Sequence, residues 1–445
     1  MKKILQQYKK SLKNKKVLIF GLGLQGGGVG AARFFAKNKA QVRVTDLKTK
    51  KQLEPSIQEL KKYPIDFILG KNREKDILWA DIVVVNPDVW NKNASHPLVN
   101  LAFDIGKKIE TPMALFVELS NCPVIGVTGT RGKTTTTVMI NEILKEAGLR
   151  TVLGGNIPNS ATLDSVEDTK KADFAVLELS NYQLHGFHLK KISPHIAIVT
   201  NIYPDHWASY SSKEEYIYDK SAIYRYQKKG DFLVKAGSLP KDWRLKVPGE
   251  HNRENAALAL KVGRILKIKD SIIKKALTLF TGVPFRLEKI AVKNGVIFIN
   301  DTTSTSPTAA TIALKSFPKG KIILIAGGNS KDLPIDEFAK TAVKRAKHLI
   351  LLKGTGTAEF KKEVQKKFTP GVEDFTPRGW ILGQFDDLKK AVKTAYKKAQ
   401  KGNIILFSPG FTSFAMWENE FERGREFNRI VAEIAEGAEI AEGAF

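Results

Sequence analysis

Residues 126–139 read GVTGTRGKTTTTVM. An ordinary phosphate-binding loop is G-x-x-x-x-G-K-[ST], in which glycines let backbone N–H groups cradle phosphate and the lysine reaches the β- and γ-phosphates. Counted back from Gly132, Lys133 and Thr134, the first glycine belongs at 127, where Val127 stands; Gly126 comes one place early and Gly129 is extra. The loop follows a short apolar run, CPVIGVT (122–128), and precedes a helical run closed by Gly148. Strand, glycine turn and helix N-terminus together make an anion site. Gly129, Thr130, Arg131, Gly132, Lys133, Thr134 and Thr135 are therefore read as an ATP loop, with the Thr134 hydroxyl able to ligate Mg2+.

Upstream, KKVLIF (15–20) leads into GLGLQGGGVG and a helix to about Lys37, and a second strand, AQVRVTD, ends on Asp46. The spacing Gly21-x-Gly23-x-x-Gly26, with a carboxylate twenty residues further on, is the setting of a nucleotide-binding turn. Glycine-rich turns also occur where nothing binds, so the match alone is weak. Downstream, DFAVLELS (173–180) carries Glu178 to the carboxyl end of an apolar strand, and HIAIVTNI (195–202) leads to Asp205 and His206. Carboxyl ends of strands face the ligand crevice of an α/β sheet. A hinge is expected at 279–290, where Gly282 and Pro284 interrupt helix and strand alike. Strands GVIFIND, KIILIAGG, HLILLKG and NIILFSPG follow, with helices between them. The chain reads as α/β throughout, in three successive domains at 1–118, 119–283 and 284–445. The first is Rossmann-like, the central one is a P-loop-type ATP-binding domain, and the third is again Rossmann-like.

With 72 Lys and Arg against 46 Asp and Glu the chain carries a net charge of +26. The excess is lysine spread in pairs such as Lys61-Lys62 and Lys361-Lys362, without a dense basic block. A solvated lysine surface is the plain reading, and no nucleic-acid partner is expected. No apolar run approaches the ~18 residues of a membrane span. The N-terminal residues lack the apolar core of a signal peptide. Cys122 is the only cysteine, so nothing demands an oxidising compartment. The expectation is a cytoplasmic protein, acting as a monomer.

The ordered set GVTGTRGKTTTT, LELSNYQL, TNIYPDHWASY, GEHNRENAALAL, FRLE, NDTTSTSPTAA, AGGNSK and LFSPGFTSF…NEFERG resembles the Mur ligases, nearest their D-glutamate-adding members. The resemblance runs from Gly21 to about Phe427. Family loops read T-G-T-N-G-K-[ST], so the shifted glycine is the family's own form. The resemblance implies that ATP phosphorylates the carboxylate of UDP-N-acetylmuramoyl-L-alanine and that D-glutamate attacks the acyl phosphate. It implies UDP at Leu24, Gln25 and Asp46, and the muramoyl moiety at Asn156, Ser180 and Gln183. Lys133 would contact the transferring phosphate. One Mg2+ would lie on Thr134 and Glu178 and a second on His206 and Lys220, the lysine acting as a ligand only if CO2 has carbamylated it. Adenine would meet Asn252 and Asn255, and the nucleotide Arg286 and Asp301. The amino acid would meet Thr303, Thr305, Lys331 and Ser413.

Four positions depart from the pattern. Arg131 replaces a loop Asn, Phe285 replaces a His, DHWASY lacks the usual Asp-Arg, and Thr303 stands in place of a Lys that grips the amino acid's carboxylate. The last bears on which amino acid is taken, with Arg423 or Arg425 as a compensating cation. Alternatives are a Mur-type ligase with another acceptor, a folylpolyglutamate synthase, a nicotinamide dehydrogenase, which leaves Lys133 idle, and a basic nucleic-acid-binding ATPase.

Overall fold

A computed structural model of the chain describes all residues except 1, 25, 90–95, 158–159, 161, 203–211, 369–378, 414–415, 418 and 437–445. Two compact units result. One comprises Met1–Arg244 with Arg253–Leu279, the other Leu245–Asn252 with Phe280–Phe445.

The first unit carries two sheets. Strands β1 (Lys16–Phe20), β2 (Gln41–Asp46), β3 (Ile65–Leu69), β4 (Ile82–Val85) and β5 (Lys108–Glu110) lie in the order β3-β2-β1-β4-β5. All neighbours are parallel. The chain reverses its direction of winding between β1 and β4, and there the glycine turn after β1 opens. Strands β6 (Val124–Thr128), β7 (Thr151–Gly155), β8 (Phe174–Glu178), β9 (Ile196–Val199) and β10 (Phe232–Val234) form a second parallel sheet, ordered β10-β9-β6-β8-β7. Central β6 is buried at every residue, as a strand covered by helices on both faces must be.

One hydrophobic core runs through both sheets. It includes Leu5 of the helix Lys2–Ser11 and Leu12 just after it, Val17, Ile19 and Val44 of the first sheet, Phe116 of the helix Pro112–Leu119, and Leu177 and Ala197 of the second sheet. Buried Glu110, ending β5, adds an ion pair at 2.8 Å to Lys190, the last residue of the helix Asn181–Lys190.

The second unit holds β11 (Glu288–Lys293), β12 (Val296–Asn300), β13 (Ile322–Gly327), β14 (Ala346–Leu352), β15 (Ile381–Phe385) and β16 (Ile404–Phe407). Their order is β11-β12-β16-β13-β14-β15, with only the β11–β12 hairpin antiparallel. Helices cover both faces, and the cores on the two sides are separate.

Candidate functional site

Adjacent strands β6, β8 and β9 bring their carboxyl ends together. The loop after β6 needs glycine twice: Gly129 has φ +144° and Gly132 φ +79°. A Cβ on Gly129 would sit 2.0 Å from Thr200 Oγ1, and one on Gly132 2.2 Å from Asn255 Oδ1. Gly132 caps the helix Lys133–Glu146 with no side-chain acceptor, which leaves the first-turn N–H groups facing the loop's hollow. Lys133 opens that helix, and its Nζ donates to the Thr130 carbonyl at 3.2 Å. Thr134 is buried.

Residues that the sequence did not single out hold the loop in shape. The Thr200 hydroxyl donates to the Arg131 carbonyl at 2.5 Å. Asn201 accepts from the Arg131 N–H at 2.8 Å, and its backbone carbonyl accepts from the Thr130 N–H at 2.9 Å. The Tyr216 hydroxyl meets Thr130 Oγ1 at 2.9 Å. In the sequence Thr200 and Asn201 stood only at the end of an apolar run and at the head of TNIYPDHWASY, with no role assigned to them. Lys220, on the helix Lys213–Arg225, is buried; its Nζ donates to the Gly129 carbonyl at 3.1 Å and lies 4.7 Å above the Tyr216 ring.

Glu178 is buried at the end of β8. Its Oε1 accepts from Asn156 Nδ2 at 3.1 Å, while Oε2 has no hydrogen-bond partner among the described residues. An unpaired buried carboxylate oxygen is costly unless something positive meets it. Glu178 beside the phosphate loop therefore fits a hard cation that shares phosphate oxygens. The described residues contain no cluster of three metal-ligating side chains, and Mg2+ held by one carboxylate, a hydroxyl and phosphates requires none. Asn156, expected at the muramoyl moiety, lies against Glu178. Ser180 and Gln183 form a capping box at the start of the helix Asn181–Lys190: Ser180 Oγ accepts from the Gln183 N–H, and Gln183 Oε1 from the Ser180 N–H. Asn255 accepts from the Thr136 hydroxyl at 3.2 Å, and Asn252 donates to the Pro248 carbonyl at 2.6 Å. Gln25 and His206 lie outside the described residues.

In the first sheet, Asp46 follows β2 and faces the glycine turn. Its carboxylate accepts from the N–H groups of Leu22 (2.9 Å), Gly23 (3.1 Å) and Lys48 (2.8 Å). These three bonds tie the carboxylate to the turn and stiffen it. The close helix–strand approach depends on Gly28, where a Cβ would lie 2.2 Å from the Leu22 carbonyl oxygen. Leu24 is about half exposed, at 51%.

In the second unit the loop carrying Arg286 is strained. Phe285 and Leu287, on either side of it, have φ +66° and +46°. Acceptors hold both: Glu288 takes the Phe285 N–H at 2.8 Å and Asp301 the Leu287 N–H at 3.1 Å. Asp301 also accepts from the Ser304 hydroxyl at 2.5 Å and the Ser408 hydroxyl at 2.7 Å. Burial nevertheless pushes its pKa up to about 6, against those donors and Arg286. Thr303 donates to the Phe285 carbonyl at 2.8 Å, and Lys331 to Thr305 Oγ1 at 3.2 Å. Ser413 is buried, and its Oγ has no partner among the described residues. Arg423 is fully buried and donates to Thr302 and to the Phe411 carbonyl, while Arg425, two positions on, is exposed.

Three families of sequence match this chain in succession: "Mur ligase MurD-like, N-terminal domain" over residues 15–110, "Mur ligase middle domain" over 127–239, and "Mur ligase, glutamate ligase domain" over 285–411. A UDP-N-acetylmuramoylalanine–D-glutamate ligase of Roseiflexus sp. (strain RS-1) is 35% identical, covering 94% of this chain and 99% of the relative. One from Acetivibrio thermocellus is 32% identical over 97% of this chain and 99% of the relative. Among solved structures, the UDP-N-acetylmuramate-alanine ligase MurC of Thermotoga maritima superimposes with TM-score 0.60 at 18% identity, over 95% of this chain and 100% of the other. The MurF ligase of the same organism, in complex with ADP, gives 0.58 at 18% identity, over 95% and 99%. Those two share the fold. With near-full-length relatives above 30% identity, the chain belongs to the Mur ligase family, the ATP-dependent, ADP-forming amide ligases of peptidoglycan-precursor synthesis.

Proposed function

We propose that this ligase joins D-glutamate to UDP-N-acetylmuramoyl-L-alanine in the cytoplasm, as a monomer with domains at 1–118, 119–283 and 284–445. The reading rests on the Roseiflexus relative, named for that reaction, whose match spans nearly the whole chain. The γ-phosphoryl group of ATP passes to the alanyl carboxylate and ADP leaves. The amine of the amino acid then attacks the carbonyl carbon, phosphate departs, and the amine gives up a proton. Loop N–H groups between Gly129 and Gly132 orient the phosphates, and Lys133 stabilises charge on the group in transfer. Mg2+ would be held by Thr134 and Glu178, where it would neutralise phosphate charge; the Oε2 of Glu178, which has no partner among the described residues, supports this.

A second Mg2+ would be held by His206 and a carbamylated Lys220. The Lys220 amine lies 3.1 Å from the loop carbonyl of Gly129, so a carbamate grown on it would carry its oxygens beside the phosphate loop. Asp46 and Leu24 serve the UDP moiety, and Asn156, Ser180 and Gln183 the muramoyl side. Asn252, Asn255, Arg286 and Asp301 serve the nucleotide by resemblance, while Lys331, Thr305, Thr303 and Ser413 receive the amino acid. Thr303 offers a neutral hydroxyl where a lysine is usual, which favours another acceptor as the second reading. A charge-assisted hydrogen bond is worth about 1.5–3 kcal/mol against ~1 for a neutral one, so D-glutamate should bind roughly tenfold more weakly than where the lysine is present. The test is a panel of D- and L-amino acids with UDP-N-acetylmuramoyl-L-alanine and ATP, read by phosphate release and product mass. D-glutamate should give the highest kcat/KM; a faster L-glutamate or neutral amino acid would refute the acceptor assignment and leave the ligase reaction standing.

A further inference from the structure

The ligase reaction leaves much of the charge of +26 without a role, and the first sheet gathers part of it at one end. Its five strands are parallel, so every segment entering a strand lies at one edge, and the glycine turn and Asp46, which follow strands, lie at the other. The entering segments are laced together: Asn14 N–H donates to the Lys39 carbonyl, Gln41 N–H to that of Lys15, and Asp81 N–H to that of Lys16.

This edge exposes Lys13, Lys15, Lys39, Lys61 and Lys62, and none of them pairs with a carboxylate among the described residues. Exposed Glu59 is taken up by Arg33 at 2.8 Å, and exposed Asp81 and Asp104 are too few to cancel the five lysines. At the same edge, the last turns of the helices Glu74–Trp79 and Pro97–Asp104 expose Leu78 (53%) and Phe103 (43%), and Ile105 (41%) follows directly. Lys107 stitches this apolar part together by donating to the carbonyls of Leu78 (2.9 Å) and Ala80 (2.7 Å). Exposed large apolar side chains beside uncompensated lysines form a surface with two kinds of affinity. Lysines near an anionic lipid surface each add roughly a fivefold factor in partition, and apolar side chains can enter the boundary between headgroups and acyl chains. A nucleic acid backbone would use the lysines and leave Leu78, Phe103 and Ile105 wet.

We propose that this basic and apolar pole of the first sheet docks peripherally on an anionic phospholipid bilayer. The docked protein keeps the opposite edge of that sheet, with its glycine turn, open to substrate.

The experiment is co-sedimentation of the full chain with vesicles of phosphatidylcholine alone and vesicles that also contain phosphatidylglycerol, at low and high salt. The wild-type protein should sediment with the anionic vesicles only and be released by salt. Lys61→Glu with Lys62→Glu should weaken partition roughly tenfold or more. Leu78→Ser with Phe103→Ser should weaken it while leaving its salt dependence in place. Thermal melting of each variant shows that these exposed changes leave the fold intact. Equal binding to neutral vesicles, no binding, or wild-type binding by either variant would overturn the proposal. So would displacement from the vesicles by duplex DNA at equal phosphate concentration, which would make the lysines a nucleic-acid surface.

Discussion

The ammonium of Lys220 donates to the carbonyl of Gly129 at 3.1 Å and so joins the helix Lys213–Arg225 to the phosphate loop 91 positions away. Shortening this side chain removes both the tie and any carbamate carried on it. Lys220→Ala should be nearly inactive and should regain turnover with added acetate or formate, short carboxylates that can stand in for a carbamate. Full activity without rescue, measured as ADP release, would count against carbamylation; inactivity without rescue would leave the tie to Gly129 as the residue's role.

Asp46 shapes the glycine turn by accepting three backbone N–H groups. Hydrogen bonds to a charged acceptor are worth about 1.5–3 kcal/mol each. Asp46→Ala should therefore raise KM for the UDP substrate by about tenfold or more and lower Tm, with KM for ATP unchanged. Steady-state kinetics with each nucleotide varied separately checks this, and an equal rise in both constants would contradict it.

Ser413 offers a cleaner separation of fold from ligand. Its buried hydroxyl has no partner among the described residues, so Ser413→Ala removes an unsatisfied group at little or no cost to stability. Tm should stay level or rise slightly, while KM for the amino acid increases about fivefold, the worth of a neutral hydrogen bond. A fall in Tm with unchanged KM would reverse the assignment.

Asp301 titrates near 3.8 in its ordinary state and about 6 in the folded protein, because burial disfavours the carboxylate. The folded state therefore holds the proton more tightly than the unfolded chain. The stability this group contributes is fully present below about pH 4 and is lost as pH rises through about 6. A shift of about two units corresponds to ~3 kcal/mol. In urea unfolding at about pH 4 and about pH 7, Asp301→Asn should lose that part of the pH dependence; the same pH slope in variant and wild type would show that the carboxyl is not the source.

The central strands were legible in the sequence because burial on both faces writes them as continuous apolar runs: VLIF in β1, IVVV in β4, IILIAG in β13, IILF in β16. Three of the edge strands were not. KIE (β5) and FLV (β10) are three residues long, and EKIAVK (β11) alternates as a half-exposed hairpin does. In the site, Glu178 and the glycine loop were readable from their place at strand ends. Thr200, Asn201 and Tyr216 were not, since their work is contact with loop residues 69 to 86 positions away, which no local pattern records. Asp46 was visible as an acidic residue at the right spacing, yet its bonds to turn amides follow only from the register of β2 beside β1.

The core that runs unbroken from Leu5 through Phe116 to Leu177 and Ala197 makes the first two sheets one cooperative block. In a calorimeter they should give a single heat-capacity peak, although family resemblance divides them between two modules. A chain cut between residues 118 and 119 would leave each half with an apolar face that the other covers, and the buried Glu110 of one half without the Lys190 of the other. Grafting the leading module of a relative onto this chain would therefore succeed only where the seam of side chains behind it is transplanted too.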